Sequence, residues 1–248
     1  RVGLIGTGSS GIQAVPVIAS EAAELTVFQR TPNFSVPAQN KVLDAEWVDA
    51  FKARYPEHRE NHRQGVGSGF GDLAVLPQAG PIDPVLFESL TADQARDILE
   101  AAWERGGARF MGAIGDTLMN PAANAFVQNF VHQKIKDIVD DPEIAAALCP
   151  SNHPIGTRRI CVDSDYYATY NLPHVRLVNL LKDPIIQITE HGVELQSEHV
   201  ALDTLVIATG FDAMTGALLS MNITGSKGLT LAEAWSEGPK TYLGLMSC

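Results

Sequence analysis

A glycine-rich hexapeptide near the first residue carries the clearest chemical signal in this sequence. It reads Gly6-Thr7-Gly8-Ser9-Ser10-Gly11, which is the pattern G-x-G-x-x-G. The first glycine allows a tight turn, the second lets a phosphate approach the backbone, and the third permits close packing of a helix on a strand. The N-terminus of the following helix offers free N–H groups and a positive dipole end to phosphates. The hexapeptide therefore predicts a dinucleotide-binding turn.

A cation stands where the next strand is expected to end. Arg30, followed by Thr31, lies about 20 residues beyond Gly11, the separation at which NAD-binding proteins place an acidic residue for the ribose 2′-hydroxyl. A guanidinium accepts no hydrogen bond from a hydroxyl, but it pairs well with a phosphate. Arg30 and Thr31 therefore predict NADP(H), which carries a 2′-phosphate, over NAD(H). A surface arginine without a ligand is the alternative.

Two further motifs are weaker signals. Arg158 and Arg159 are adjacent in the stretch PIGTRRICVDSDYY. On a strand, neighbouring side chains point to opposite faces, so one guanidinium would face a cofactor while the other would not. A solvated surface pair is the competing interpretation. Thr209 and Gly210 end the apolar run LVIATG, a feature of strands that join two nucleotide-binding domains but also of many other strands.

Other reactive residue types lack the spacing that their chemistry needs. The seven histidines are scattered and none has a partner at metal-ligand spacing, so no metal site is expected. Cys149, Cys161 and Cys248 form no C-x-x-C pair, which excludes a redox dithiol and hence a disulfide reductase. No G-x-S-x-G elbow surrounds a serine. Asp163, with the acidic and tyrosine residues that follow it, is expected to cap a turn or line a pocket.

Composition narrows the function classes further. The chain has 248 residues, of which 45% are hydrophobic and 19% charged, as in globular proteins. Its net charge of -11 repels nucleic acid and anionic lipid. The sequence shows no signal peptide and no apolar run of the roughly 18 residues that span a bilayer. We therefore expect a cytoplasmic protein without nucleic-acid or membrane partners.

The expected elements place these motifs at the edge of a parallel sheet. A strand at 1–6, a helix at 9–24 and a strand at 25–30 form a βαβ unit. Helical patterns then run over 44–63 and, beyond a Gly/Pro-rich loop at 64–84, behind three capping signals at Thr91, Asn120-Pro121 and Asp141-Pro142. Strand patterns return at 159–162, 175–178, 184–189, 192–195 and 204–208. The fold class is α/β, with a Rossmann-like sheet interrupted by helices.

Several stretches together resemble one family. GLIGTGSSGIQ, LTVFQRTPNFSVPA, GTRRICVDSDYYATYN, LDTLVIATGFDAMTGAL and GPKTYLGL are similar, in this order, to the NADPH-binding domain of flavoprotein Baeyer–Villiger monooxygenases. The resemblance implies an NADP-binding domain packed on an FAD-binding domain. Its implied parts are the first NADP-binding segment at 1–40, a helical insertion at 41–150, the second NADP-binding segment at 151–211 and the start of a return to the FAD-binding domain at 212–248.

The resemblance also implies a reaction and its residues. In the family NADPH reduces FAD, O2 adds to the flavin C4a, and the peroxyflavin attacks a ketone to give an ester or lactone. Arg159 matches the family's catalytic arginine, and Arg158 replaces the lysine that usually contacts the 2′-phosphate. The implied cofactor-binding residues are Gly6, Thr7, Gly8, Ser9, Ser10, Gly11, Gln13, Arg30, Thr31, Arg158, Thr209 and Gly210.

Two features predict that the chain is a fragment of a longer protein. It begins inside an expected strand and stops just after an apolar stretch, 242–246. The family's FAD-binding G-x-G-x-x-G and its F-x-G-x-x-x-H-x-x-x-W fingerprint do not occur in the sequence, so most of the FAD site is expected elsewhere.

Two other functions stay open on the sequence alone. A flavin monooxygenase that oxidises nitrogen or sulfur has the same two-domain plan but needs neither the Arg159 pair nor the fingerprint. A non-catalytic NADP-binding module would need only the glycine turn and its cations. The ketone and the oligomeric state are not specified by these patterns.

Overall fold

The computed structural model describes residues 1–40, 42–64, 85–213 and 215–242. It divides into two compact units, residues 1–209 and residues 210–248. Most of the Gly/Pro-rich loop expected at 64–84, together with Cys248 and the end of the stretch GPKTYLGL, lies outside the described residues.

The described residues form short strands and a block of helices. The strands are β1 (Val2–Ile5), β2 (Leu25–Gln29), β3 (Ser35–Pro37), β4 (Cys161–Asp163), β5 (Val175–Asn179), β6 (Ile185–Thr189), β7 (Gly192–Leu195), β8 (His199–Ala201) and β9 (Thr204–Ile207). The helices are α1 (Ser9–Glu21), α2 (Ala45–Ala53), α3 (Tyr55–Gln64), α4 (Ala92–Arg105), α5 (Pro121–Ile138), α6 (Pro142–Leu148), α7 (Gly216–Leu219) and α8 (Leu231–Ala234).

The main sheet has the strand order β5-β2-β1-β9, and all its strands are parallel. Every residue of β2 is buried, as expected for a strand covered on both faces. The chain steps to one side of β1 for β2 and β5 and to the other side for β9. Doubly wound sheets bind ligands outside the carboxyl ends of their strands at such a reversal. The predicted Rossmann-like α/β fold is confirmed.

Helix α1 connects β1 to β2 and packs on the sheet through Ile12, Val15 and Ala19, which are buried. It ends at Glu21, three residues before the expected end. Pro16 lies inside it. Although a proline removes one backbone hydrogen bond from a helix, the helix continues through this position, because burial of its apolar face stabilises it.

The stretch that carries the arginine pair differs from the prediction. A strand was expected at 159–162, but β4 begins only at Cys161, where its N–H donates to the carbonyl of Phe34 at 3.1 Å. β4 pairs in parallel with β3 alone, in a separate two-stranded sheet. Arg158 and Arg159 therefore precede the strand, and the alternation of side chains along a strand does not apply to them.

The helical block confirms the predicted caps. Thr91 and Gln94 form a reciprocal capping box on α4, and Gly106 ends that helix with a φ of 73°. Asn120 and Asp141 cap α5 and α6, each of which has a proline in its first turn. The segment expected to be helical at 44–63 forms two helices, α2 and α3. The buried stripe is Ala95, Leu99, Ala102, Trp103, Val127, Phe130, Val131 and Ile135.

A third sheet is formed by the residues between β5 and β9. Strands β6, β7 and β8 form an antiparallel sheet. Its buried residues, including Val193, Leu195 and Val200, cluster with Phe28 of β2. β8, which has only three residues, was not predicted.

The second unit contains two short helices, α7 and α8. Thr230 and Glu233 form a capping box on α8, and the Trp235 indole N–H donates to the carbonyl of Lys240 at 3.1 Å. Across both units, the described residues contain no helix with the length and apolar character of a membrane span.

Candidate functional site

The three glycines of the hexapeptide meet different surroundings. Gly6 has a φ of 116°, and a Cβ added there would lie 2.3 Å from the carbonyl oxygen of Ala208. A Cβ on Gly11 would lie 2.1 Å from the carbonyl oxygen of Gly6. At Gly8 an added Cβ would meet no atom within 4 Å. Gly6 and Gly11 therefore permit contacts between backbones, whereas Gly8 leaves space open in front of the turn.

The N-terminus of α1 opens into that space. Gly8 is the N-cap residue, no side chain caps it, and the first turn contains no acidic residue. The Ile12 N–H donates to the Gly8 carbonyl at 2.9 Å, so the N–H groups of Ser9, Ser10 and Gly11 precede the first bond within the helix. These donors and the helix dipole favour an anion at this position.

Thr7 joins the glycine turn to the loop after β2. Its side chain is buried, and its hydroxyl donates to the carbonyl oxygen of Thr31 at 2.7 Å. This bond places the loop that carries Arg30 beside the turn. The hydroxyl of Thr7, a predicted cofactor-binding residue, thus donates its hydrogen to the protein itself, at the residue that follows Arg30.

The segment before β4 is held against the same helix end. The Ser9 hydroxyl lies 3.3 Å from the Cys161 sulfur, and the Gln13 amide donates to the carbonyl of Val162 at 3.3 Å. The Asn33 amide donates to the carbonyl of Arg159 at 3.3 Å. Three sequence regions around residues 6–13, 30–34 and 158–162 therefore meet at the carboxyl end of β1 and β2.

These regions bring exposed arginines to one area. Arg30, Arg158 and Arg159 are all exposed, and none of them forms an ion pair with a described residue. The pKa of His153 is lowered, first by burial and second by the charge of Arg158, so Arg158 lies near that ring. In a chain of net charge -11, three arginines without an ion pair in the described residues lie on segments that meet at the open N-terminus of α1, and their charges favour an anion there.

The two residues at the end of β9 fall on either side of the division between the units. The Ala208 N–H donates to the carbonyl of Ile5 at 2.8 Å, and the Thr209 nitrogen would lie 3.3 Å from a Cβ on Gly6. Thr209 is therefore next to the glycine turn. Gly210, with a φ of 98°, begins the second unit.

Residues of β3, of β4 and of the turn after β4 form a buried polar cluster whose hydrogen bonds the sequence did not predict. Asp163 accepts hydrogen bonds from the Ser35 hydroxyl and from the Tyr166 N–H, and the Tyr167 hydroxyl accepts from the Ser35 N–H at 3.1 Å. Burial raises the pKa of Asp163. Asp163, Asp165 and Tyr167 also line a cavity of about 420 Å³. The residues therefore both cap a turn and line a pocket.

Asn33, Cys161 and Ser35 were not among the predicted site residues. They are small or neutral, and their spacing matches no motif. Only the proximity of Asn33 to Arg30 in the sequence distinguished it from other asparagines. In the described part of the chain no group of histidine, cysteine and acidic residues is arranged to hold a metal ion.

Several known proteins that are similar to this chain are monooxygenases. The chain is 39% identical over 248 residues to cyclohexanone 1,2-monooxygenase of Acinetobacter sp., 38% identical over 250 residues to phenazine N-monooxygenase PhzNO1 of Lysobacter antibioticus, and 36% identical over 250 residues to a Baeyer–Villiger monooxygenase of Pseudooceanicola batsensis. Each alignment covers 99% of this chain and 44% of the relative. The chain is a homologue of the Baeyer–Villiger monooxygenases.

Solved structures of Baeyer–Villiger monooxygenase relatives have the same fold. The crystal structure of OTEMO in complex with FAD and NADP matches with a TM-score of 0.88 and 36% identity, covering 99% of this chain and 44% of that chain. The chain thus spans less than half the length of the Baeyer–Villiger relatives it matches. No protein-family model matches the sequence.

The contrast between Gly8 and Gly11 gives a first prediction. We expect Gly11→Ala to lower the free energy of unfolding by about 2 kcal/mol, because its methyl group would collide with a carbonyl oxygen. Gly8→Ala has open space and a permitted backbone conformation, so we expect it to change unfolding by less than about 1 kcal/mol. Its methyl group would nevertheless stand where a pyrophosphate approaches, and binding of NADP+ should weaken at least about tenfold. Urea unfolding and calorimetric titration measure the two effects, and equal binding by the Gly8→Ala variant and the parent would contradict the assignment.

The buried Asp163 gives a prediction of pH dependence. Its pKa in the folded state is raised, chiefly by burial, so its contribution to stability is complete below the unfolded pKa of a carboxyl group and is lost as pH rises through the raised folded value. The Ser35 hydroxyl lowers this pKa. We therefore expect Ser35→Ala to lower the free energy of unfolding more at pH 8 than at pH 5. Urea unfolding at both pH values tests this, with Asp163→Asn in the Ser35→Ala background as the control that should remove the difference.

Proposed function

We propose that this chain supplies the NADP(H)-binding part of an FAD- and NADPH-dependent monooxygenase that inserts one oxygen atom of O2 next to a ketone carbonyl, giving an ester or a lactone. The observation that carries the proposal is the set of exposed, unpaired guanidinium groups around the open turn at Gly8. The OTEMO complex with FAD and NADP supports the cofactors, and cyclohexanone 1,2-monooxygenase supports the reaction class.

The glycine turn and the arginines beside it suit the two kinds of phosphate in such a dinucleotide, the pyrophosphate and the 2′-phosphate. The backbone N–H groups at the start of α1 would hold the pyrophosphate, since Gly8 leaves room for it. Arg30 and Arg158 would bind the 2′-phosphate, with Thr31 beside them. Replacing the usual lysine by Arg158 keeps the charge and adds a planar fork that can bind a phosphate through two hydrogen bonds.

Arg159 is the proposed catalytic residue. When bound, FAD and NADPH supply the redox chemistry that activates oxygen. The part of Arg159 is to hold a permanent positive charge, because a guanidinium stays protonated at every physiological pH. Such a charge stabilises developing negative charge and polarises the substrate carbonyl. Arg159 is exposed in this chain, and the hydrogen bond to its carbonyl oxygen fixes its backbone.

The domain assignment follows from the same proposal. Residues 1–40 and 151–211 would form one NADP-binding domain around the sheet β5-β2-β1-β9, residues 41–150 a helical insertion, and residues 212–248 the start of the return to an FAD-binding domain. A small ketone and O2 are the proposed reactants. A cytoplasmic location and the lack of nucleic-acid or membrane partners remain predictions from the sequence.

One relative favours a second candidate function. Phenazine N-monooxygenase is 38% identical to this chain, almost as similar as the cyclohexanone enzyme. Oxidation of a heterocyclic nitrogen uses the same cofactors but gives an N-oxide instead of an ester. A screen of cyclic, linear and aryl ketones beside phenazines, with NADPH and added FAD, separates the two by mass spectrometry of the products.

Removing the guanidinium of Arg159 tests the proposed catalysis. In the full-length enzyme we expect Arg159→Ala to lower ester formation by at least about 100-fold, because it removes a preorganised charge from the reaction centre. NADPH-dependent reduction of the flavin should remain measurable, since the residues assigned to the phosphates are intact. Product analysis and stopped-flow absorbance measure the two steps. Arg96→Ala, which removes an exposed arginine from α4, is the matched control, and unchanged ester formation by Arg159→Ala would remove the residue from its role.

The preference for NADPH over NADH tests the proposed contact of Arg30 with the 2′-phosphate. We expect the unsubstituted protein to prefer NADPH to NADH and Arg30→Ala to weaken NADP+ binding by about 10- to 100-fold, the loss of one charge-assisted contact. Binding of NAD+ should hardly change, because NAD+ has no 2′-phosphate. Calorimetric titration with both nucleotides gives the ratio. Equal use of both coenzymes by the unsubstituted protein would refute the 2′-phosphate site.

A further inference from the structure

The position of the arginine pair is not fixed by the main sheet. β1 and β2 are neighbours in that sheet, so its backbone hydrogen bonds place the glycine turn and Arg30 relative to each other. Arg158 and Arg159 precede β4, which pairs only with the three-residue strand β3. A short two-stranded sheet is marginally stable by itself. Side-chain contacts are therefore needed, beside the backbone bonds between β3 and β4, to hold the pair in register with the turn.

Asn33 provides such a contact with a defined orientation. Its Oδ1 accepts from the N–H of Phe34 at 3.0 Å, which settles which side of the amide is oxygen. The two hydrogens of its Nδ2 are then directed at the carbonyl oxygen of Arg159, at 3.3 Å, and at the sulfur of Cys161, at 3.2 Å. One short side chain thus links the loop that follows Arg30 to the backbone of Arg159.

Cys161 extends the link to the helix. Its sulfur is within 3.3 Å of the Ser9 hydroxyl, and Ser9 is the first residue of α1. The thiol is buried, and burial raises its pKa, so it stays a neutral partner for these polar groups. The side chains of Asn33 and Cys161 therefore connect the start of α1 with both segments that carry the arginines.

We propose that Asn33 is a positioning residue that holds Arg158 and Arg159 in place opposite Arg30, so that the guanidinium groups act together on the 2′-phosphate and at the reaction centre. This inference rests on the proposed function for its ligand. Asn33 touches no cofactor in the proposal, and it acts through the backbone of Arg159. Removing its amide leaves every charge and the whole glycine turn in the molecule but removes the direct hydrogen bond to the backbone of Arg159.

The first part of the experiment compares substitutions in the FAD-loaded protein. Asn33→Ala removes both donors. Asn33→His keeps an N–H donor, since its Nδ1 is as many bonds from the backbone as the amide nitrogen. Asn40→Ala is the matched control, because the Asn40 amide binds the hydroxyl of Ser164 and not the arginine segment. Calorimetric titration gives the Kd of NADP+ and of NAD+, and urea unfolding checks folding. Should Asn33→Ala not fold, Asn33→Ser, which is too short to reach the Arg159 carbonyl, takes its place.

We expect Asn33→Ala to weaken NADP+ binding by about 3- to 10-fold, the value of a single neutral hydrogen bond, and to leave NAD+ binding unchanged. Asn33→His should restore most of the loss, and Asn40→Ala should show none. The ester formed per NADPH oxidised should fall in Asn33→Ala as well. A loss of NADP+ and NAD+ binding to the same degree, or a loss in Asn33→His as large as in Asn33→Ala, overturns the proposal.

A double-mutant cycle with Arg158→Ala gives the second part. If Asn33 acts by placing the arginine pair, its removal costs less NADP+ affinity once Arg158 is already alanine, so the two effects are not additive. Strictly additive effects overturn the proposal. Failure of the proposed function is distinguishable from this result: a full-length protein with bound FAD that forms neither ester nor N-oxide refutes the activity, while discrimination of NADP+ from NAD+ still reports whether Asn33 positions the cations.

Discussion

Direct contact between backbone segments is the constraint on which the site depends. Gly11 lies against the carbonyl of Gly6, and Gly6 lies against the carbonyl of Ala208; neither contact leaves room for a side chain. Because of them β1, α1 and β9 converge at the same edge of the sheet. The open face at Gly8 and the uncapped start of α1 are consequences of that convergence. Without the close approach, the N-terminus of α1 would not lie beside the carboxyl ends of β1 and β9.

The charge near the glycine turn is positive, opposite in sign to the net charge of the whole chain. The chain is strongly acidic, yet the loops next to the glycine turn carry Arg30, Arg158 and Arg159 without ion pairs in the described residues. Paired guanidinium groups would already have exchanged part of their hydration for a carboxylate. Unpaired ones stay available, at the cost of mutual repulsion that an anionic ligand relieves. An acidic protein needs such a local group of unpaired cations to attract an anionic ligand.

The sequence predicted what depends on short-range patterns and missed what depends on distant partners. The sequence predicted the glycine turn, the capping box at Thr91 and the helices α5 and α6, which begin with proline. Each was recognisable because the required residues lie within a few positions of each other. The strand expected at 159–162 was misplaced because β4 exists only by pairing with β3, more than a hundred residues away in the chain. Asn33 was missed for the same reason, since its partners Arg159 and Cys161 come from that distant segment. Arg30 was assigned to a nucleotide from its distance to the glycine turn, whereas the assignment of Arg158 and Arg159 depended on the family resemblance.

The pairing of β3 with β4 has a consequence for how such proteins diversify. Both strands stand at the ends of the helical block, so the excursion from residue 38 to residue 160 leaves the edge of the sheet beside the glycine turn and returns to it at one tether, the pairing of β3 with β4. Closing a long loop costs little more entropy than closing a shorter one. Insertions, deletions or replacement of whole helices within the excursion can therefore reshape the walls of the neighbouring cavity while the tether keeps its two ends in register. The shape of that cavity can then change in evolution while the glycine turn and the arginines beside it stay the same.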